Sequence, residues 1–383
     1  MSRKRLAMVV TIAAYALLAA WAAAGPAAPA LRQPTAARIN AIFSSVTSPA
    51  APGLAVLVRK DGKTVFFRGY GMRDLRCRRP VTPRTDFRLA SCTKQFTAMA
   101  IMLLVHDGKL KYSDRLTDIF PDFPPYGRAI SVRNLLNHTS GLADYEDLLD
   151  KQYPGKSWEQ IPQIHDAGVL HLMERQTGTQ FPPGSTWKYS NSGYCVLAMI
   201  VQKISGMPFA EFVHRRILAP LGMTGTLLHQ YGRDHVPQRA YGYTRDAGVW
   251  LETDQSPTSA TLGDGGVYSN VMDLAKWDQA LRNHTLLSAA EMKPAITAVR
   301  LPLPSAQWPK GPDGAPVEYG FGWFLNPYRG HSRMWHYGSS IGFHTAIERF
   351  TRSDLTVIVL ANRTDLDPGA LALEVADLYL TNH

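Results

Sequence analysis

Ser91-Cys92-Thr93-Lys94 lies where an apolar run, residues 87–90, gives way to a segment with helical character, residues 95–106. Residues three apart share one face of a helix, so the Ser91 hydroxyl and the Lys94 amine are expected to lie within reach of each other. A serine hydroxyl is a weak nucleophile until a base takes its proton, and a desolvated lysine can be that base. The start of a helix also offers free backbone N–H groups to a developing oxyanion. The same spacing fits a helix that merely carries an exposed lysine, so this motif alone does not decide the function.

Two further motifs follow in order along the chain. In residues 183–194 (PGSTWKYSNSGY), Tyr189 and Asn191 are two apart on an expected turn or extended segment, so both side chains can face one cleft. The phenol can move a proton if a nearby ammonium lowers its pKa, and the carboxamide can hold a substrate carbonyl. Residues 335–343 (WHYGSSIGF) are expected at the end of a strand, where small residues let a ligand approach the backbone.

With these three motifs in order, the chain resembles the serine β-lactamase and penicillin-binding-protein superfamily. It is most similar to the class C β-lactamase-related serine hydrolases, which include D-aminopeptidases, carboxypeptidases and esterases. The resemblance runs from about Ala37 to the C-terminus. It extends to residues 135–142 (LLNHTSGL), 263–270 (GDGGVYSN), 273–277 (DLAKW) and 319–323 (YGFGW).

The resemblance implies a role for each candidate site residue. Ser91 would be the acylated nucleophile, and Lys94 with Tyr189 would form the general-base pair that activates it. Asn191 would orient the substrate. The backbone N–H groups of Ser91 and Ser339 would form the oxyanion hole.

The third motif departs from the pattern of true β-lactamases. Those enzymes carry Lys-Thr-Gly where this chain has His336-Tyr337-Gly338. His336 and Gly338 would line the binding edge, but a histidine is charged only below about pH 6.5 unless its surroundings shift its pKa. A permanent positive charge for a substrate carboxylate is therefore missing, and hydrolysis of β-lactams is in doubt.

Three functions remain open at this point. The first is an exported serine hydrolase that cleaves a small ester, a D-amino-acid peptide or a β-lactam-like substrate. The second is a true class C-type β-lactamase. The third is a catalytically silent, penicillin-recognising envelope protein, which the simultaneous presence of Ser91, Lys94 and Tyr189 disfavours.

Charge and composition narrow the range of partners. The 41 Lys and Arg residues exceed the 31 Asp and Glu residues, which gives a formal charge of +10. No base-stacking or DNA-reading pattern accompanies the arginines, so they indicate a solvated loop and loose attraction to an anionic envelope, not nucleic-acid binding. The histidines show none of the common zinc spacings, so no metal and no cofactor are expected. The arginines in question are Arg73, Arg76, Arg78, Arg79, Arg84 and Arg88.

The N-terminus is typical of an exported protein. Arg3, Lys4 and Arg5 precede an uncharged run at residues 6–24, and small residues follow it. Residues 1–30 are interpreted as a signal peptide, or as an uncleaved anchor formed by residues 6–24, and 31–36 as a linker. A periplasmic or secreted location is therefore expected, with loose envelope or membrane association through the N-terminus as a further possibility.

Residues 37–383 are expected to form one α+β domain. Strands are predicted at residues 53–60, 64–71, 319–325, 333–337, 342–350 and 355–361, near both ends of the chain. This arrangement predicts an antiparallel sheet flanked by helices and built from both termini, with a mostly helical region, about residues 110–255, inserted between them. Helices are predicted at residues 37–43, 91–106, 132–137, 164–175, 194–205, 272–282 and 368–380.

Four other residues near these motifs could belong to the site or could have a purely structural role. His138 is interpreted as a structural histidine and not as a catalytic base, because it follows two leucines and precedes a turn. Tyr112 and Tyr145 are placed either at the mouth of the cleft or in packing. Cys92 is expected to be a small buried residue, since one step along a helix turns it away from the face of Ser91.

Overall fold

The structure is a computed structural model, and it describes residues 36–230, 232–233 and 235–380. The signal or anchor predicted at residues 1–30 lies outside the described residues. The predicted linker also lies outside them, except for Ala36, which begins the first helix.

A five-stranded antiparallel sheet forms the centre of the fold, and its strands come from both ends of the chain. The first strand pairs with the last one in a continuous register from Leu54↔Ala361 to Lys60↔Leu355. The predicted α+β class, with an antiparallel sheet flanked by helices, is confirmed. The spatial order of the sheet is β10-β11-β12-β1-β2. The strands in chain order are β1 Leu54–Lys60, β2 Lys63–Tyr70, β3 Met72–Asp74, β4 Arg79–Pro80, β5 Phe87–Arg88, β6 Leu227–Leu228, β7 Tyr243–Asp246, β8 Val249–Glu252, β9 Val267–Ser269, β10 Arg333–Ser340, β11 Phe343–Phe350 and β12 Leu355–Ala361.

The helices cover both faces of this sheet, and six of the seven that were predicted lie within a few residues of their expected bounds. The exception concerns the nucleophile segment, where a 3-10 turn at Ala90–Thr93 precedes the α-helix. Helices predominate among the regular elements between residues 110 and 255, and the region ends in the hairpin of β7 and β8. The helices in chain order are α1 Ala36–Ser44, α2 Lys94–His106, α3 Leu116–Ile119, α4 Val132–Leu136, α5 Tyr145–Gln152, α6 Asp166–Glu174, α7 Asn191–Ser205, α8 Phe209–Val213, α9 Val271–Asn283, α10 Ala289–Met292 and α11 Pro368–Asp377.

Successive side chains of a strand point to opposite faces of the sheet, and both faces of the central strands are covered by a core. In β1, Ala55 and Leu57 pack into the large core shared with the helical region. Leu54 and Val56 belong to a second core beneath α1 and α11. This explains why β1 is a nearly unbroken apolar run instead of an alternating one.

One predicted strand, residues 319–325, is wrong. The segment turns back on itself, and the Gly320 N–H donates a hydrogen bond to the Trp323 carbonyl at 2.9 Å. Gly322 has φ +76°, and a Cβ at this position would lie 2.8 Å from the Lys94 carbonyl oxygen. The glycine therefore allows a turn to pack directly against the start of α2.

No single helix among the described residues has the length and apolar character needed to cross a bilayer, and one bent pair, Asn191–Ser205 with Phe209–Leu218, meets that standard only when its two halves are combined. All three cysteines lie in the described range as free thiols, with Cys77 exposed and Cys92 and Cys195 buried.

A buried carboxylate joins helix α9 to the sheet and gives a stability prediction. Asp278 forms ion pairs with Arg59 at 2.8 Å and Arg349 at 2.7 Å, and all three side chains are at most 10% exposed. Thr356 Oγ1 also donates to the carboxylate, at 2.8 Å. Asp278→Asn leaves two buried guanidinium groups without a counter-charge, so it is expected to lower the free energy of unfolding by about 3 kcal/mol or more.

Urea denaturation monitored by far-UV circular dichroism measures this loss. Asp354→Asn is the matched control, because Asp354 pairs with Arg282 at the surface and asparagine tolerates its positive φ of 44°. The control should leave the denaturation midpoint nearly unchanged. An equally small effect of Asp278→Asn would show that the buried ion pairs do not hold α9 on the sheet.

Candidate active site

The segment that carries Ser91, residues 89–94, is hydrogen-bonded to strands β9 and β11 on two sides. The Leu89 N–H donates to the Val267 carbonyl at 2.8 Å, and Thr345 Oγ1 donates to the Leu89 carbonyl at 2.9 Å. Ala90 then adopts φ +47°, an unfavourable conformation for alanine that the surrounding contacts impose. Ser91 follows as the second residue of the 3-10 turn, where a backbone N–H has no partner within the turn itself.

Lys94 lies beneath Ser91 and is fully buried. Its Nζ donates to three acceptors: Ser91 Oγ at 3.0 Å, Asn191 Oδ1 at 2.9 Å and the Asp264 carbonyl at 3.0 Å. The predicted stacking of the Ser91 hydroxyl and the Lys94 amine on one face is therefore present. Asn191 and Asp264 come from segments about 100 and 170 residues away, so the amine is held by tertiary contacts.

The Lys94 amine is poised to lose its proton near neutral pH. Burial lowers the pKa of Lys94 to about 8, and the charge of Asp264 opposes that shift. A neutral amine at 3.0 Å from a serine hydroxyl can accept the hydroxyl proton.

Tyr189 lies beside this pair, and the pKa of its phenol is raised and not lowered. Lys94 Nζ lies 4.8 Å from the centroid of its ring, against the face and not at the hydroxyl. Burial raises the pKa of Tyr189 well above its ordinary value, and the nearby Ser91 side chain opposes the rise. The condition for proton transfer by this phenol, a pKa lowered by a neighbouring ammonium, is not met, because burial dominates. Because its pKa is raised, the hydroxyl is protonated at neutral pH and has a proton to donate.

Asn191 is the first residue of α7, where an N-terminal cap fixes it. Ser190 Oγ accepts the Gly193 N–H at 3.0 Å, and the Ser190 N–H donates to His138 Nδ1 at 3.1 Å. This cap starts the helix at Asn191, three residues before the predicted start. His138 is fully buried and supports the second motif through this bond, in keeping with a structural role.

His336 does not reach the cleft with its side chain. The imidazole is 1% exposed, its Nδ1 lies 2.6 Å from the Tyr337 carbonyl, and its Nε2 lies 3.2 Å from the Tyr319 hydroxyl. Burial lowers the pKa of His336 to about 3, and the charge of Lys94 acts in the same direction. The predicted contact of this side chain with substrate is corrected accordingly, because a neutral imidazole is enclosed among aromatic rings.

Gly338 packs against the backbone next to Ser91, whereas Ser339 faces the cleft. A Cβ at Gly338 would lie 2.1 Å from the Leu89 carbonyl oxygen, so this glycine lets β10 pack directly against the nucleophile segment. It does not line the cleft with Ser91. Ser339, the next residue, is exposed and does line that cleft.

The cleft over Ser91 has a volume of about 280 Å³. Ser91, Asn191 and Ser339 line it, while Lys94 is fully buried and Tyr189 is partly exposed with its hydroxyl oxygen buried. Of the two tyrosines placed either at the cleft or in packing, Tyr145 lines the cleft, whereas Tyr112 packs against Phe321. Three charged residues of the lining were not predicted from the sequence, although Asp264 lies in a glycine-rich stretch that could have indicated it. The missed residues are Arg88, Glu146 and Asp264.

Taken together, the geometry supplies a hydroxyl at the floor of a cleft, a buried amine that can take its proton, and a protonated phenol beside both. This set fits the transfer of an acyl group from an amide or ester to Ser91.

Comparisons with known proteins agree with this chemistry. The model of the Beta-lactamase family matches residues 38–380. Penicillin-binding protein 4* of Bacillus subtilis is 34% identical over 327 residues, which cover 81% of this chain and 68% of that protein. A D-aminopeptidase of Cereibacter sphaeroides is 29% identical over 81% of this chain and 57% of its own length. The crystal structure of D-amino acid amidase from Ochrobactrum anthropi is 25% identical, with a TM-score of 0.74 over 88% of this chain and 97% of that one.

Proposed function

Because this chain belongs to the Beta-lactamase family and is a serine hydrolase, we propose that it is an exported enzyme that hydrolyses amides or esters of D-amino acids through an acyl-enzyme on Ser91. The observation that carries the proposal is the buried Lys94 amine at 3.0 Å from Ser91 Oγ. The names of two relatives, a D-aminopeptidase and a D-amino acid amidase, support the substrate class.

In the proposed mechanism, neutral Lys94 takes the Ser91 proton while Oγ attacks the substrate carbonyl. The backbone N–H groups of Ser91 and Ser339 stabilise the oxyanion, and Asn191 holds the acyl part. The Lys94 ammonium returns its proton to the leaving amine or alcohol as the tetrahedral intermediate collapses. A water molecule then attacks the acyl-enzyme carbonyl while Lys94 takes its proton, and the Lys94 ammonium passes that proton to Ser91 Oγ as the acyl–Oγ bond breaks and the acid product leaves. Tyr189 donates a hydrogen bond from the same side and stays protonated.

The third motif favours this function over β-lactam hydrolysis. The structure gives His336 no charge at neutral pH and no access to the cleft. A β-lactam carboxylate would therefore lack the positive charge that a lysine at this position supplies. Export is supported by Arg3, Lys4 and Arg5 before the uncharged run at residues 6–24.

The test is the intact mass of the purified protein after exposure to p-nitrophenyl acetate, a penicillin and D-alanine p-nitroanilide in parallel. An acyl adduct on the peptide that contains Ser91, formed quickly and lost quickly with D-alanine p-nitroanilide, is expected. A persistent penicillin adduct would instead favour a penicillin-recognising protein. Failure of every reagent, together with no reaction of Ser91 with a fluorophosphonate, would contradict the hydrolase mechanism.

A further inference from the structure

The Asp264 carbonyl determines where the lone pair of the Lys94 amine points. A neutral amine has two N–H groups and one lone pair. The neighbours of this amine are Ser91 Oγ at 3.0 Å, Asn191 Oδ1 at 2.9 Å and the Asp264 carbonyl at 3.0 Å. When the last two acceptors take the N–H groups, the lone pair is left for the proton of Ser91. A displaced Asp264 carbonyl would therefore misdirect the base.

Asp166 fixes the segment that carries this carbonyl. It is the first residue of α6 and is 7% exposed. Its Oδ2 accepts the Leu262 N–H at 2.8 Å, and its Oδ1 accepts the Gly263 N–H at 2.9 Å. These two residues immediately precede Asp264. Thr97 Oγ1, from α2, donates to the Gly263 carbonyl at 2.6 Å, so the segment is held from two helices.

We propose that Asp166 is a positioning residue of the general base, and that its ionised carboxylate holds residues 262–264 so that the Asp264 carbonyl directs the lone pair of Lys94 at Ser91. The inference rests on the proposed function, in which Lys94 takes the Ser91 proton. Asp166 lies at the wall of another cavity, of about 330 Å³. It therefore acts through the segment and not by contact with the substrate.

The two N–H groups require the charge of Asp166. An ionised carboxylate accepts with both oxygens, whereas a protonated carboxyl uses one oxygen as a donor and keeps one good acceptor. Burial raises the pKa of Asp166 to about 7, the charge of Asp264 adds to the rise, and the N–H groups of Leu262 and Gly263 oppose it. The carboxylate is ionised above this pH, so the positioning is present there and is lost as the pH falls through about 7.

Four other ionisable residues lie near this carboxylate or near the base. The Cys195 thiol, on α7, hydrogen-bonds to Asp166, and burial raises the pKa of this thiol so that it stays protonated. His165 and Arg233 line the same cavity as Asp166. Glu146 lines the cleft over Ser91, and burial raises its pKa to about 7. All four remain in place when Asp166 is replaced, so the test compares two proteins at the same pH.

The experiment measures the rate of fluorophosphonate labelling of Ser91 in the wild type and in Asp166→Asn between about pH 5.5 and about pH 9. Asparagine keeps the size of the side chain but, like a protonated carboxyl, has one good acceptor oxygen. At about pH 9 the variant should be labelled about 10- to 100-fold more slowly than the wild type, because its base is misdirected. This ratio should decrease below about pH 7 and approach one near pH 5.5, where the wild-type carboxyl is protonated as well.

Asp367→Asn is the matched control. Asp367 Oδ1 also accepts two backbone N–H groups, those of Gly369 and Ala370 at 2.9 and 3.0 Å, at the start of α11. This variant should be labelled at the wild-type rate at every pH. Thermal melting verifies that each variant is folded. Should Asp166→Asn not fold, Asp166→Ser, which offers a single oxygen to the two N–H groups, takes its place with the same expectation.

The outcomes separate this inference from the proposed function. A variant that reaches the wild-type rate at about pH 9, or that is slower by the same factor at every pH, would show that ionised Asp166 does not direct the base. The hydrolase function would then stand. If wild-type Ser91 is not labelled at all, the proposed function fails and this inference fails with it.

Discussion

A Ser91→Ala variant is expected to lose covalent labelling by a fluorophosphonate completely and to lose hydrolysis of its best substrate by about 10⁵-fold or more. Alanine removes the oxygen that would form the acyl bond, and no other group in the described structure occupies its position. The remaining cleft can still bind substrate through Asn191 and Ser339. We therefore expect KM to change far less than kcat, and the measurement is steady-state kinetics beside gel-based labelling.

Cys92→Ala is the control for this prediction, since Cys92 is the neighbouring residue and a thiol is a possible nucleophile. The Cys92 thiol is fully buried, and its Sγ donates to the His336 carbonyl at 3.2 Å. Burial raises the pKa of Cys92 to about 12, so it is not a thiolate at neutral pH. Labelling of the Cys92→Ala variant should continue. Labelling that survives in Ser91→Ala and disappears in Cys92→Ala would transfer the nucleophile to the thiol.

The parts of the fold that sequence patterns predicted are those fixed by local rules. The hairpin of β1 and β2 follows from two apolar runs separated by Asp61-Gly62, where both residues adopt positive φ. The shared face of Ser91 and Lys94 follows from their spacing of three residues, although tertiary contacts hold the amine in place. Strand β12 has the predicted bounds because a continuous apolar run has few alternative interpretations.

The parts that could not be predicted depend on contacts between distant segments. The electrostatic state of Tyr189 depends on its burial, which the order of residues in the second motif does not reveal. The Tyr319 hydroxyl contacts the His336 imidazole, and Tyr319 belongs to residues 319–325, which form a turn and not the predicted strand. Gly322 allows this turn to pack against the start of α2. Asp264 becomes part of the site only when its segment reaches Lys94 from 170 positions away. The family resemblance identified the reacting groups, whereas the charges that surround them required the fold.

A Lys94→Met variant is expected to slow acylation of Ser91 by about 10²- to 10⁴-fold, because it removes the base and keeps an unbranched side chain of similar length. The rate of fluorophosphonate labelling measures this step directly. Lys188→Met is the matched control, since Lys188 is exposed next to the second motif and its Nζ contacts Gln180 instead of Ser91. The control should label at the wild-type rate, and thermal melting should show that both variants are folded.

The pH dependence of the same reaction tests whether Lys94 acts as the neutral base. With the pKa of Lys94 near 8, the neutral fraction increases about tenfold for each pH unit below that value and reaches a plateau above it. The wild-type labelling rate should therefore increase with pH up to about 8 and then level off. In Lys94→Met the increase near pH 8 should disappear, because the residue that titrates is gone. A variant that is uniformly slower but keeps the same increase would show that another group takes the Ser91 proton and that Lys94 only positions the hydroxyl.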